Sequence, residues 1–94
     1  MLVDEVFDRL GKTGKYTYLE KFVQYNVDNL NGEVDILAYN EKQGCFHFYE
    51  IKTGHGENCG LNKAQRQFDR YKTAFNSRSL KGIYISPGVV KRLQ

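Results

Sequence analysis

The chain has 94 residues, of which 40% are hydrophobic and 14% aromatic, and 14 Lys and Arg against 11 Asp and Glu give it a formal net charge of +3. This length suits a single domain over residues 1–94, and the apolar fraction excludes a disordered chain. No apolar run reaches the roughly 20 residues of a membrane span and no signal-like segment opens the sequence, so we expect a cytoplasmic protein without a membrane partner. Two cysteines are too few for a disulfide framework, and the mild positive charge suits a polyanionic partner.

Apolar periodicity and glycine positions divide the chain into alternating helices and strands. A helix that ends at Gly11 and three strands are predicted at residues 2–10, 22–27, 34–39 and 45–52. Residues 62–76 follow as a second helix with Asn62 as its N-cap, and a last buried strand at 82–86 is stopped by Pro87. Because a helix separates the third and fourth strands, we expect these two to be parallel. The fold class is therefore α/β, with a mixed sheet flanked by helices in the order αβββαβ.

Two consecutive apolar strands each carry one acid, Asp35 and Glu50. If residues 41–44 form the hairpin loop, Asp35 lies directly opposite Glu50, with Cβ atoms about 4.5–5.5 Å apart. Carboxylates so placed repel unless a cation lies between them, and Mg²⁺ is the hard cation that suits them. Lys52 shares the face of Glu50, where an ammonium could activate a water or stabilise charge on a phosphate. The three residues predict a site that hydrolyses phosphodiesters.

The alternative is an edge hairpin whose charged face is simply solvated, with Lys52 bridging to one of the acids. The prediction also depends on register, because a slip of one residue would place Asp35 and Glu50 on opposite faces of the sheet.

This combination resembles the PD-(D/E)xK nuclease superfamily, whose common core is αβββαβ. Asp35 ends the Gly-Glu-hydrophobic-Asp run at residues 32–35 that is typical of Holliday junction resolvases, and Glu50 and Lys52 match the ExK half of the motif. The resemblance covers nearly the whole chain and implies a DNA endonuclease that requires Mg²⁺, with Mn²⁺ as a substitute. It also implies that the Ile51 carbonyl is a further metal ligand, that water attacks in line without a covalent intermediate, and that a homodimer acts on branched or duplex DNA with no small-molecule cofactor.

A second motif lies in the second helix, where residues 67–71 resemble the QhxxY pattern of RecB-type and CRISPR-associated exonucleases. Gln67 flanks the buried stripe and is predicted to orient a water or a phosphate at the site; the alternative is a polar flank without a function. We expect Tyr71 to be a core residue rather than a functional one.

Many members of the superfamily carry a further acid on the first helix, near the metal ion. Asp4 and Glu5 are the candidates: Asp4 borders the apolar stripe, whereas Glu5 points away from it. Glu20 is a third candidate, and Glu33 shares the face of Asp35 and would flank the site.

Basic residues at helical spacing form a stripe on the second helix, at Lys63, Arg66 and Arg70. With Lys15, in the loop after the first helix, they are predicted to contact the DNA backbone, which positions a substrate without reading its sequence. A solvated helix face is the alternative. We do not expect zinc at His55, because no second pair of ligands has suitable spacing, and we interpret residues 53–60 as a flap beside the site.

Two other functions remain open from the sequence. A minimal RecB-like, repair or restriction-type nuclease would keep the same residues but act on duplex, nicked or single-stranded DNA. A non-catalytic DNA-binding module would keep only the fold, although it would have no need for a costly pair of acids.

Overall fold

Seven secondary-structure elements follow one another in the computed structural model, which describes residues 2–52, 57–75 and 79–94. In chain order they are α1 (Leu2–Thr13), β1 (Tyr18–Val27), β2 (Leu30–Asn40), β3 (Cys45–Ile51), α2 (Glu57–Phe75), β4 (Leu80–Ser86) and β5 (Val89–Leu93). The strands form one sheet in the order β1-β2-β3-β4-β5, in which only the β3–β4 pair is parallel. The predicted αβββαβ order and the mixed sheet are confirmed.

A fifth strand extends the sheet beyond the predicted core. The sequence analysis ends the sheet at Pro87, but the chain turns there and pairs β5 with β4, with Ser86 opposite Val89. Gly88 has a φ of 76°, which glycine adopts without the steric penalty of a Cβ. A Pro-Gly pair ends a strand whether the chain then leaves the sheet or turns back to form a hairpin. The local sequence therefore does not distinguish the two outcomes.

Several element boundaries differ from the predictions: among others, β2 begins at Leu30 rather than at residue 34, and β4 begins at Leu80 rather than at residue 82. β1 begins at Tyr18 rather than at residue 22, and α1 continues through Gly11 to Thr13. α2 begins at Glu57, so Asn62 lies inside the helix and is not its N-cap. Of the predicted flap, residues 57–60 belong to α2, whereas residues 53–56, with His55, lie outside the described residues. The apolar stripe of a helix marks where it packs rather than where it begins or ends, which explains the differences at α1 and α2.

The hairpin between β2 and β3 has the predicted loop and register. Asn40 pairs with Cys45 and Ile36 pairs with Tyr49, and the loop closes through Gly44 at a φ of 61°. The next residues along the two strands are Asp35 and Glu50, which the hairpin therefore places side by side.

Each helix covers one face of the sheet. α1 packs on a cluster built from Val3, Ile36, Ala38, Tyr49 and Ile51, and α2 packs on a larger cluster that includes Val34, Phe48, Phe68, Tyr71 and Tyr84. No helix among the described residues is long and apolar enough to cross a membrane.

The regular alternation of side chains breaks at Asp35. Its neighbours Val34 and Ile36 belong to clusters on opposite faces of the sheet. Two residues that are two positions apart in a strand normally lie on the same face. Across from this break, Phe22 has a φ of 56° and interrupts the β1–β2 pairing between Lys21 and Val23. Both strands are therefore irregular at the position of Asp35.

Candidate active site

Glu50 is a deeply buried carboxylic acid at the end of β3. Its side chain is 2% exposed, and it faces the α2 side of the sheet because Phe48, two residues earlier, belongs to the α2 cluster. Acids are rarely buried unless a partner compensates their charge. The burial of Glu50 argues against the solvated charged face that the sequence left open.

Asp35 reaches the end of β3 from the neighbouring strand. Its Oδ2 atom accepts a hydrogen bond from the backbone N–H of Ile51, at a distance of 2.8 Å. Burial raises the pKa of Glu50 to about 8, and the charge of the adjacent Asp35 adds to this rise. The two acids therefore interact strongly, as the hairpin register predicts.

Lys52 supplies a positive charge at the same place. Its Nζ lies 3.4 Å from Glu50 Oε1, and its side chain is partly exposed. Its backbone N–H donates to the Ile85 carbonyl at 2.9 Å, which holds the residue against β4 beyond the end of β3. Lys52 lowers the pKa of Glu50 but does not cancel the effect of burial and of Asp35.

Two buried oxygen atoms lack a hydrogen-bond partner among the described residues: Glu50 Oε2 and Gln67 Oε1. Leaving a buried acceptor unpaired costs about 1–3 kcal/mol, so such atoms usually have a bound partner. Gln67 lies in α2, which packs on the face toward which Glu50 points. Gln67 and Glu50 are thus on the same side of the sheet.

The donor set suits a hard divalent cation. Carboxylate oxygens from Asp35 and Glu50 are the ligands that Mg²⁺ and Mn²⁺ prefer, and the unpaired Glu50 Oε2 requires a positive or donating partner. Within the part of the chain that the structure describes, no third His, Cys, Asp or Glu forms a cluster with them. A cation held by this pair would keep several water ligands.

The further acids that the sequence proposed do not join this pair. Asp4 binds Lys21 with 2.7 Å between Oδ1 and Nζ, and this contact holds the pKa of Asp4 below its usual range. Glu5 and Glu33 are exposed, and Glu20 accepts a hydrogen bond from the Tyr18 hydroxyl. The described residues of α1 therefore add no further carboxylate to the pair.

The basic residues separate into two regions. Lys63, Arg66 and Arg70 are exposed on α2, and Arg70 Nη1 donates to the Asn31 carbonyl at 3.5 Å. Lys15 lies apart from this stripe, at a groove on the α1 face of the sheet.

Tyr71 is 6% exposed and stacks against Tyr25 and Phe48 in the α2 cluster. It is a core residue, as the sequence analysis favours.

A residue that the sequence analysis did not single out for the site is Gly60, in the first part of α2. A Cβ at this position would lie 2.6 Å from Tyr84 Oη and 3.5 Å from Lys52 Cγ. The missing side chain lets α2 approach β4 and Lys52 closely. A glycine can indicate a close approach of the backbone to its neighbours. Gly60 falls within the predicted flap rather than within the predicted helix, so the sequence does not single it out.

Comparisons with known proteins identify the fold. No protein-family model matches the chain, and no curated protein sequence matches it. Among solved structures, it is similar to a repair endonuclease from Pyrococcus abyssi, with a TM-score of 0.56 and 18% identity over 92% of this chain and 36% of that chain. It is also similar to SSO0001, with a TM-score of 0.51 and 20% identity over 95% of this chain and 47% of that one.

The chain thus spans less than half the length of both solved structures. At these identities the likeness concerns the fold, which is a restriction-endonuclease-like arrangement of a mixed sheet between two helices.

Proposed function

We propose that this chain is a nuclease domain that hydrolyses DNA phosphodiester bonds with the help of Mg²⁺. The observation that carries the proposal is the acid pair itself: Asp35 meets Glu50 at a buried position, beside Lys52. A purely structural protein gains nothing from this pair, because burial beside Asp35 either forces a proton onto Glu50 or leaves two carboxylates to repel each other, and both oppose folding at neutral pH. The structural likeness to a repair endonuclease supports the same function.

Each residue has a role in the proposed reaction. Asp35 and Glu50, with the Ile51 carbonyl, would hold Mg²⁺ or Mn²⁺, which lowers the pKa of a bound water and stabilises charge on a phosphate. The Lys52 ammonium donates to the attacking water or to a phosphate oxygen, since it lies 3.4 Å from Glu50 Oε1. Gln67, whose buried Oε1 has no hydrogen-bond partner among the described residues, would position the water or the phosphate. The attack is in line and forms no covalent intermediate.

The substrate that we propose first is branched DNA, cut by a homodimer in the manner of a small Holliday junction resolvase. The Gly-Glu-hydrophobic-Asp run that ends at Asp35 supports this choice. A RecB-like, repair or restriction-type nuclease acting on duplex, nicked or single-stranded DNA is the second candidate, because Gln67 lies on the Glu50 side of the sheet and matches the QhxxY pattern of the exonuclease branches.

The test is a cleavage assay with three labelled substrates: a four-way junction, a linear duplex and a single strand. Each is incubated with Mg²⁺, Mn²⁺ or EDTA, for the natural chain and for Asp35→Ala. We expect symmetric nicking of the junction that depends on the metal and on Asp35. Cleavage of the duplex but not the junction would favour the second candidate, and no metal-dependent cleavage at all would leave a non-catalytic DNA-binding module.

A further inference from the structure

A groove of about 680 Å³ lies on the sheet face that α1 leaves partly uncovered. α1 packs against β1 and β2, whereas the side chains of β4 and β5 on this face line the groove. Its apolar lining includes Leu10, Ile83, Ile85 and Val90, and Val90 is 73% exposed. The proposed nuclease reaction makes no use of this surface.

The rim of the groove is strongly basic. Among the described residues that line it there is no Asp or Glu, and there are five cationic side chains: Lys15, Lys42, Lys81, Lys91 and Arg92. Burial lowers the pKa of His47, which also lines the groove. The positive charges of Lys81, Arg92 and Lys15 lower the same pKa further. The groove therefore has a positive potential although the net charge of the whole chain is only +3.

Aromatic rings form part of the same surface. The Tyr16 hydroxyl lies 2.6 Å from both His47 Nδ1 and Tyr49 Oη, and the Tyr16 and His47 rings meet edge to face. These hydrogen bonds hold the rings in place at the groove, where Tyr16 and His47 are only partly buried. Held in this way, the rings offer flat apolar surface at little cost in entropy.

The groove is separate from the candidate active site. His47 and Tyr49 alternate along β3 with Phe48 and Glu50, so the groove and Glu50 lie on opposite faces of the sheet. Lys42, in the hairpin loop, also lies at the end of the sheet where β3 begins, whereas Glu50 is near the end of β3. A strand bound in the groove therefore does not occupy the catalytic residues.

We infer that this groove binds a segment of single-stranded DNA, with phosphates along the basic rim and unpaired bases against the apolar floor and the rings. The cations come from several different elements and are spread along the groove, so they suit a ligand with a row of phosphates better than a ligand with a single negative charge. Unpaired bases can bury their exposed ring faces against the apolar floor, whereas in a duplex these faces are already covered by the neighbouring base pairs. The floor therefore favours a single strand. The identity of the polyanion as DNA rests on the proposed function, but the binding requires neither a metal ion nor hydrolysis.

The experiment measures fluorescence anisotropy of a labelled oligothymidine in EDTA over a series of salt concentrations, so that a failure of hydrolysis cannot affect it. The double variant Lys81→Glu with Arg92→Glu is compared with Arg9→Glu, an exposed residue of α1 outside the groove. We expect the double variant to bind at least about tenfold more weakly, with a salt slope shallower by about 0.7 for each phosphate that it no longer neutralises. Arg9→Glu should stay near the natural chain, and circular dichroism confirms that each variant is folded.

Three further ligands sharpen the result. An abasic oligonucleotide of equal length should bind about tenfold more weakly or worse, because base stacking on aromatic rings contributes about 1–3 kcal/mol per base. If a duplex or polyglutamate bound as tightly as the oligothymidine, the inference would be overturned. It would also be overturned if Arg66→Glu, in the α2 stripe, abolished binding of the single strand while the double variant of the groove bound as tightly as Arg9→Glu.

Discussion

The side chain of Asp35, in β2, accepts a hydrogen bond from the backbone N–H of Ile51, in β3. The distance between Asp35 Oδ2 and Ile51 N is 2.8 Å. Because Ile51 follows Glu50, this bond holds one carboxylate against the other at a buried position. The break in the alternation of side chains between Val34 and Ile36 accompanies this arrangement. At neutral pH a proton on Glu50 relieves the repulsion of the pair, and a divalent cation would take the place of that proton.

Binding of Mg²⁺ or Mn²⁺ should raise the melting temperature of the chain, since a ligand that binds only the folded state stabilises it. Asp35→Asn retains a side-chain oxygen that can accept the Ile51 N–H, so we expect it to fold and to lose the metal-induced shift. Asp35→Ala should lose the same shift and also be less stable, by about 1–3 kcal/mol, because the hydrogen bond is absent. Differential scanning fluorimetry with metal titration measures both, and an undiminished metal shift in Asp35→Asn would refute the assignment of Asp35 as a ligand.

The free energy of unfolding should depend on pH because Glu50 has a raised pKa in the folded chain. Its pKa is about 8 in the folded chain, against a usual value of 4.5, so between these values the folded state binds one proton more than the unfolded state. Without metal, the free energy of unfolding should therefore fall as the pH rises from about 4.5 to about 8, by at most about 1.4 kcal/mol per pH unit. Urea titrations in chelator follow this slope, and Glu50→Gln should flatten it; an equal slope in Glu50→Gln would contradict the prediction.

Gly60 provides a test of the close approach of α2 to the site. Alanine inside a helix normally stabilises it by up to about 1 kcal/mol relative to glycine. Gly11→Ala in α1 should show this gain, because its nearest atom, Leu19 Cδ2, is 3.8 Å from the new Cβ. Gly60→Ala should instead destabilise the chain, because its Cβ would lie 2.6 Å from the hydroxyl of Tyr84, a ring that is 1% exposed.

Tyr84→Phe removes that hydroxyl, and the nearest remaining ring atom would lie 3.5 Å from the Cβ, which is ordinary contact. We therefore expect Tyr84→Phe to rescue Gly60→Ala in chemical denaturation. Destabilisation of equal size in Gly60→Ala and in the double variant would show that the cause is not this contact.

The sequence was sufficient for the αβββαβ order and for the register of the β2–β3 hairpin, because loop length and alternation together determine which residues face each other. It did not reveal the positive φ of Phe22, since a residue of this type carries no local signal for that conformation. The close approach at Gly60 and the α1-face groove depend on contacts between elements far apart in the chain. The separation of Lys15 from the α2 stripe follows from the same long-range packing.

Gln67 should show opposite effects on stability and on activity. Its buried Oε1 has no hydrogen-bond donor among the described residues, so Gln67→Leu removes an unpaired acceptor while keeping similar volume. We expect a melting temperature equal to or above that of the natural chain, with DNA cleavage slower by at least about tenfold because the water or the phosphate is no longer positioned. Thermal unfolding and cleavage rates are measured on the same preparation. Unchanged cleavage would make Gln67 a polar flank of the core.

The central claim is that the acid pair and Lys52 form a hydrolytic site, and the most direct measurement is the single-turnover rate of cleavage of a labelled DNA in saturating Mg²⁺. We predict cleavage by the natural chain, none in EDTA, and a rate at least about 100-fold lower for Lys52→Met, as expected when a cation that stabilises the charge of the reacting groups is removed. Lys52→Met should keep the metal-induced rise in melting temperature, because Lys52 is not a ligand. Metal-dependent cleavage of equal rate in Lys52→Met, or no cleavage by the natural chain on any substrate, would contradict the account.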